Sequence, residues 1–126
     1  MAKLTDEMKE FIQKVKLCVA ATADANGIPN VSYKGSLQIL DDEHLVFADI
    51  FSKKTRKNLK ENNKICILVG DHKNKVGYQF VGEAELLDQG ELFDGMCQKI
   101  ATLNLPKPTY AVKIKVNDIY PMDFSL

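Results

Sequence analysis

Histidine, cysteine and tryptophan are scarce in this sequence of 126 residues: it has two histidines, three cysteines and no tryptophan. Cys18, Cys66 and Cys97 are far apart and form no C-x-x-C pair, which argues against a disulfide framework and against a zinc site. Cys18 and Cys66 lie in apolar runs, where we expect buried thiols. We therefore predict no metal site and a reducing, cytoplasmic location.

Long hydrophobic runs and an excess of one charge are also missing. No apolar stretch approaches the roughly 20 residues that span a bilayer, and the acidic, polar residues 2–7 are unlike a signal peptide. The 17 basic and 17 acidic residues give a formal net charge of zero, whereas nucleic-acid-binding domains usually carry a basic excess. We therefore expect neither a membrane nor a nucleic acid among the partners.

Length and patterning favour one folded unit, so we treat residues 1–126 as a single domain. Short apolar runs linked by tight turns predict about six to seven strands, with two or three helices at the edges. Strands and helices do not alternate regularly. This favours a mainly β fold, an antiparallel β-barrel with peripheral helices, over a doubly wound parallel sheet.

Hydrophobic periodicity gives the predicted elements. Helices are expected over residues 5–15, 53–61 and 91–103. Strands are expected over residues 17–23, 29–33, 37–40, 45–49, 65–69, 76–87 and 111–116. The apolar stripe of the last helix is Leu92, Met96, Ile100 and Leu103. We expect the 65–69 strand to be central, a bend at Gly77 or Gly82, and a short tail after residue 116.

A basic segment, Ser52-Lys53-Lys54-Thr55-Arg56, follows the 45–49 strand and opens the second helix, with Ser52 as the predicted N-cap. Free backbone N–H groups at a helix start bind anions. Lys53, Lys54 and Arg56, together with the hydroxyl groups, would strengthen such a site. The segment alone fits a phosphate site and a solvated basic helix face about equally well.

A second polar cluster, Val31-Ser32-Tyr33-Lys34-Gly35-Ser36, lies where the second strand passes into the third. Small residues and a glycine allow a flat ring to approach the backbone. Ser32, Lys34 and Ser36 could donate hydrogen bonds to ring carbonyls, and a cation there would stabilise a reduced flavin anion. The alternative is an ordinary polar strand end.

The order of these features resembles the split-barrel flavoproteins related to pyridoxamine 5′-phosphate oxidase, and within that group the small bacterial FMN-binding proteins. That pattern has an N-terminal helix, a strand ending in an Asp-x-x-Gly turn, a strand pair, and a strand that enters a basic Ser/Lys/Thr segment. The matching sequence is residues 20–32, 34–36, 45–49 and 54–59. The resemblance covers residues 5–87 well and the remainder loosely.

The resemblance implies FMN bound at a homodimer interface, with the second subunit closing the pocket. Lys54 and Thr55 would hold the phosphate, with Ser52 and Lys53 beside them and Asn58 behind. The isoalloxazine ring would be bordered by Ser32, Tyr33, Lys34, Gly35 and Ser36, and flanked by the backbone of Ala48, Asp49, Ile50 and Phe51.

The chain also departs from the family pattern. It is much shorter than the true oxidases and has no clear counterpart of their Arg- and His-bearing C-terminal segment. An FMN reductase, a flavin electron carrier or an FMN storage module therefore fits better than oxidation of pyridoxamine phosphate, and no residue is assigned as a general acid or base.

Other ligands stay open as alternatives. Some members of the family bind haem or a deazaflavin, but His44 and His72 both lie in predicted turns, where exposure is expected. A non-enzymatic module for another phosphorylated ligand or for haem is the alternative function. Nucleic-acid binding through residues 53–57 is disfavoured by the zero net charge.

Overall fold

The structure is a computed structural model that describes residues 2–125. Its helices are α1 (Asp6–Val15), α2 (Lys53–Glu61) and α3 (Glu91–Ala101). Its strands are β1 (Cys18–Ala23), β2 (Pro29–Lys34), β3 (Gln38–Ile39), β4 (His44–Asp49), β5 (Lys64–Asp71), β6 (Val76–Leu87) and β7 (Tyr110–Asp123). None of the described helices is long and apolar enough to cross a membrane.

The strands form one seven-stranded antiparallel sheet in the order β2-β1-β5-β6-β7-β4-β3. The sheet curls around a core that includes Phe47, Ile67 and Phe80, none of which has any exposed surface. Helix α1 covers this core through Ile12. The predicted mainly β fold, an antiparallel barrel with peripheral helices, is confirmed.

The β1–β2 hairpin fixes the position of the first candidate segment. The Asp24 carboxylate accepts hydrogen bonds from the backbone N–H groups of Asn26 (2.8 Å) and Ile28 (2.9 Å). Gly27 has a φ of +81°, a conformation that favours glycine. This turn sets a register in which Thr22 lies opposite Asn30, so the predicted tight turn and the second strand are confirmed.

The predicted bend in the sixth strand is a β-bulge. The register between β6 and β7 shifts between Val81 and Gly82. A Cβ atom at Gly82 would lie 1.9 Å from the carbonyl oxygen of Lys115, so only glycine permits this approach. The expected centre of the sheet is displaced by one strand, because β6 holds the middle position and β5 lies beside it.

Two predictions about the C-terminal third are wrong. Strand β7 runs for 14 residues rather than ending at residue 116, because β6 offers pairing partners as far as Asp123. Helix α3 ends at Ala101, which leaves Leu103 60% exposed and outside the apolar stripe. The buried stripe is instead Phe93, Met96 and Ile100.

The cysteines are free thiols. Cys18 is buried, as predicted, on the inner face of β1. Cys66 differs from the expectation because alternate residues of β5 face opposite sides of the sheet, and Cys66 is half-buried on the outer side, next to the buried Ile65 and Ile67. Cys97 is also half-buried, on α3.

Candidate functional site

The buried polar side chains of the described chain collect around α2. They are Thr22, Lys34, Asp49, Thr55 and Asn58, and each is at most 6% exposed. Burial of a polar group is costly unless the group is hydrogen-bonded. Among residues 2–125, no buried side-chain nitrogen or oxygen lacks a partner, so each of the five is satisfied, and together with their partners they make up the polar network around α2.

Strand β2 turns its polar residues towards α2. The alternation along the strand places Asn30, Ser32 and Lys34 on one face, while Tyr33 lies on the other. Ser32 Oγ lies 3.3 Å from Thr55 Oγ1, and Asn30 Nδ2 donates to the same oxygen at 3.4 Å. The two sequence segments predicted to form the site are therefore in direct contact.

Lys34 carries a positive charge into the interior beside the start of α2. Its Nζ donates to Ser52 Oγ and lies 5.7 Å from the centroid of the Phe47 ring. Burial lowers the pKa of Lys34, and the negative charge of Asp49 opposes that shift. Burial raises the pKa of the neighbouring Cys18 thiol to about 12, although Lys34 acts in the opposite direction.

The first turn of α2 has no side-chain cap. Ser52 occupies the predicted N-cap position, but its side chain makes no capping hydrogen bond, and the first turn has no acidic residue. Along this segment, Arg56 is the first residue whose backbone N–H is hydrogen-bonded to a backbone carbonyl. It donates to the Ser52 carbonyl oxygen at 2.9 Å. The preceding N–H groups therefore remain free at the positive end of the helix dipole.

Arg56 does not join the phosphate-binding group that the sequence suggested. Its Nε donates to Asp49 Oδ2 at 2.7 Å, and its Nη2 lies 3.4 Å from Oδ1. This hydrogen-bonded carboxylate raises the pKa of Arg56. Lys57 also has a partner, Glu61. Within residues 2–125, Lys53 and Lys54 form no ion pair, so they are the cations free to meet a ligand.

The short strand β3 leaves the end of β4 free to contact Ser36. Because β3 pairs with β4 only at Val46 and Leu45, the N–H of Ala48 lies beyond the ladder and donates instead to Ser36 Oγ at 2.9 Å. Ser36 and the end of β4 are thereby held together. Ile50 is half-buried against the α3 cluster, and Phe51 is 74% exposed.

The structure thus connects half of the predicted site residues. Direct contacts join Ser32, Lys34, Ser36, Ala48, Ser52 and Thr55 across the two segments, and Asp49 joins through Arg56. Tyr33 faces away from α2 and, like Gly35, is exposed. Asn58 lies behind the site, where its Nδ2 donates to Thr22 Oγ1 at 3.1 Å.

Two members of the network, Thr22 and Asn30, were missed by the sequence analysis. A signal for them exists in the turn at Asp24 and Gly27, because its length sets the hairpin register. Once Asn30 is opposite Thr22, both fall on the same face as Lys34. No comparable local signal predicts the contact between Asp49 and Arg56, which joins a strand end to a helix.

The outer face of the sheet carries apolar side chains, as the inner face does. Val31 and Tyr33 on β2 are 66% and 73% exposed. The register continues this surface through half-buried residues of the neighbouring strands, namely Val19, Ala21, Cys66, Leu68 and Val81. An antiparallel sheet commonly presents a polar outer face to water, and a contiguous exposed apolar surface marks an interaction site.

Comparison with known proteins identifies the family. Residues 4–123 match the pyridoxamine 5′-phosphate oxidase family. The chain belongs to this family. A family relative, an uncharacterised protein from Methanocaldococcus jannaschii, is 34% identical over 124 residues, which cover 95% of this chain and 81% of that protein.

Solved structures share the fold over nearly the whole chain. HupZ from Group A Streptococcus matches with a TM-score of 0.87 and 30% identity, covering 96% of this chain and 95% of HupZ. An FMN-binding protein from Syntrophomonas wolfei has a TM-score of 0.80 and 24% identity, and the match covers 98% of this chain and 87% of that protein. HutZ, the haem storage protein from Vibrio cholerae, has a TM-score of 0.67 and 22% identity, and the match covers 97% of this chain and 96% of HutZ. The predicted resemblance and the split-barrel fold are confirmed.

Proposed function

We propose that this protein is an FMN-binding flavoprotein that holds the FMN phosphate at the start of α2 and acts as a small redox protein or FMN-dependent reductase or oxidase. The observation that carries the proposal is the accumulation of positive charge at the positive end of a helix. Lys34 contacts Ser52 at the N-cap, Lys53 and Lys54 belong to the first turn, and that turn contains no acid. This arrangement is unfavourable by itself and favourable once an anion is present.

The donor set suits a phosphate group. A phosphate accepts hydrogen bonds, and the start of α2 supplies donors: backbone N–H groups, the Ser52 hydroxyl, and the lysines Lys53 and Lys54 of the first turn. Charge-assisted hydrogen bonds of this kind are about twice as strong as neutral ones. Arg56 contributes indirectly, because its contact with Asp49 holds α2 against the end of β4.

The ring would lie between the two segments that the network joins. Ser36 holds the end of β4, and Ile50 supplies apolar surface next to the exposed Phe51. FMN supplies the electron-transfer chemistry when bound, whereas the protein binds it, orients it and sets the local charge. We assign no general acid or base.

A second copy of the chain is the proposed partner of the apolar outer face. Val31 and Tyr33 expose large side chains on the β2 edge of that face, and the surface extends over β1 and β5. A stable homodimer buries about 800 Å² on each subunit. Placing this face against a partner would remove its apolar side chains from water and bring the second subunit beside the segment Ser32–Ser36.

Haem is the alternative ligand, since the fold is shared with a haem storage protein. The arrangement of histidines favours FMN over haem. His44 lies at the far end of β4 from Asp49 and contacts Asp41 at 2.8 Å. His72 is exposed in the turn after β5. Neither histidine belongs to the network around α2. A different phosphorylated ligand would use the same donors as FMN.

A titration with FMN and with riboflavin, which lacks the phosphate, tests the proposal. The parent protein should bind FMN more tightly than riboflavin. Lys54→Ala should weaken FMN binding about tenfold or more, the loss expected for a charged hydrogen bond, while Lys57→Ala serves as the matched control because Lys57 pairs with Glu61. Tight binding of haemin with no binding of FMN would favour the alternative.

A further inference from the structure

The contact between Lys34 and Ser52 fixes the direction of a hydroxyl group. An ammonium group has three donors and no acceptor. Ser52 Oγ must therefore accept from Lys34 Nζ, and the single hydrogen of the Ser52 hydroxyl points elsewhere. Lys34 is 6% exposed and reaches Ser52 from the inner face of the sheet, so the hydroxyl hydrogen lies away from the Lys34 ammonium group.

Ser52 does not cap the helix that follows it. A serine at the N-cap usually has an extended backbone and accepts a hydrogen bond from a backbone N–H in the first turn. Here Ser52 has φ −106° and ψ 61°, and no side-chain cap forms while its oxygen contacts Lys34. Lys34 holds the Ser52 side chain in this uncapped arrangement, in which the hydroxyl hydrogen is available to a ligand.

We propose that Lys34 is a positioning residue for the anion site, which holds Ser52 in the orientation that donates to the ligand's phosphate. The inference rests on the proposed function, because it concerns the same phosphate. Lys34 itself stays inside the sheet, and Ser52 is the group that touches the ligand.

Packing alone does not account for a lysine at this position. The side chain runs past Phe47, opposite Cys18 in the strand register, where an apolar residue would fit. The carboxylate that faces Lys34, Asp49, is already hydrogen-bonded to Arg56. The ammonium group also adds positive charge beside Lys53 at the positive end of the helix. The arrangement becomes favourable when an anion binds.

A double-mutant cycle on Lys34→Met and Ser52→Ala, read with FMN and riboflavin as probes, tests this coupling. Each single variant should lose about tenfold in FMN affinity and at most about twofold in riboflavin affinity. The double variant should bind FMN no more weakly than Lys34→Met alone, since both changes remove the same donor. Lys57→Met, which removes an exposed charge from the same helix, is the control for net charge.

Thermal unfolding of the same variants separates positioning from folding. Lys34→Met should unfold at or above the parent temperature, because burial disfavours the charged form at this position. If Lys34→Met fails to fold, Ser52→Ala against Ser52→Thr carries the test, because threonine retains the hydroxyl and should retain FMN affinity. Equal FMN affinities for these two variants would overturn the inference.

The two proposals fail in different ways. A parent protein that binds no FMN removes the proposed function. The parent protein could instead bind FMN through Lys54, while the affinity losses of Lys34→Met and Ser52→Ala multiply in the double variant. That result would leave the proposed function intact and overturn the positioning role of Lys34. An equal loss of FMN and riboflavin affinity in Lys34→Met would also overturn the positioning role.

Discussion

The Asp49 carboxylate receives the Arg56 guanidinium through an Nε–Oδ2 hydrogen bond of 2.7 Å. The Asp49 side chain is 2% exposed and that of Arg56 is 22% exposed. The pair joins the last residue of β4 to the first turn of α2, the two ends of the β4–α2 turn. It also distinguishes Arg56 from the other cations of the basic segment, because Arg56 is held by Asp49 whereas Lys53 and Lys54 form no ion pair among residues 2–125.

Removing either partner of this pair should have unequal effects. Arg56→Met leaves a buried carboxylate without its cation, and we expect a loss of about 3–5 kcal/mol in the free energy of unfolding. Asp49→Asn should lose less, because the guanidinium that remains can reach water. Urea denaturation measures both values. A larger loss for Asp49→Asn than for Arg56→Met would contradict this account of the pair.

Asn58 should contribute to stability rather than to ligand binding. Its Nδ2 donates to Thr22 Oγ1 at 3.1 Å, and both residues are buried. Asn58→Ala leaves a buried hydroxyl unpartnered and should cost about 1–3 kcal/mol, with FMN affinity changed by at most about twofold. Combining it with Thr22→Val should recover part of the loss. A tenfold loss of FMN affinity at unchanged stability would instead place Asn58 against the ligand.

Gly82→Ala and Gly95→Ala are a matched pair of substitutions. A Cβ at Gly82 would lie 1.9 Å from the Lys115 carbonyl oxygen, whereas a Cβ at Gly95 meets nothing within 4 Å. Gly82→Ala should cost at least about 3 kcal/mol, a large effect for one substitution. Gly95→Ala, inside α3, should gain about 0.5–1 kcal/mol. Thermal unfolding compares the two, and a tolerated Gly82→Ala would show that the β-bulge is not required.

The proposed homodimer depends on the outer face of the sheet. Tyr33→Asp, made together with Val31→Asp, places charge on exposed apolar positions of β2 and should convert the dimer to a monomer. Leu103→Asp is the control, because Leu103 is 60% exposed but lies on the segment after α3. Sedimentation equilibrium measures the mass. A parent protein that binds FMN as a monomer would contradict the proposed interface.

Local signals were sufficient for much of the fold. Helix α1 was predicted from its periodicity, and in the structure its N-cap is Thr5, whose Oγ1 accepts from the Met8 N–H at 3.2 Å. The turn at Asp24 and the bulge at Gly82 were also indicated by residue type. In each case the determining interaction lies within a few residues, or glycine is required by a positive φ at Gly27 or by a close backbone approach at Gly82.

Features that depend on distant partners escaped the sequence analysis. The length of β7 is set by β6, and residues 117–123 carry no clear alternation of their own. The basic segment was found, but the division between Arg56 and Lys54 was not, because Asp49 selects Arg56 only once the chain has turned. The contact between Lys34 and Ser52 likewise joins residues that only the folded sheet brings together.

The most direct test of the central claim is the absorbance spectrum of the purified protein, recorded before and after addition of FMN and removal of the excess by gel filtration. We expect flavin absorbance bands that elute with the protein in stoichiometric amount, and that are much reduced in Lys54→Ala. A spectrum that shows only the protein band after the same treatment would contradict the claim that this chain binds FMN.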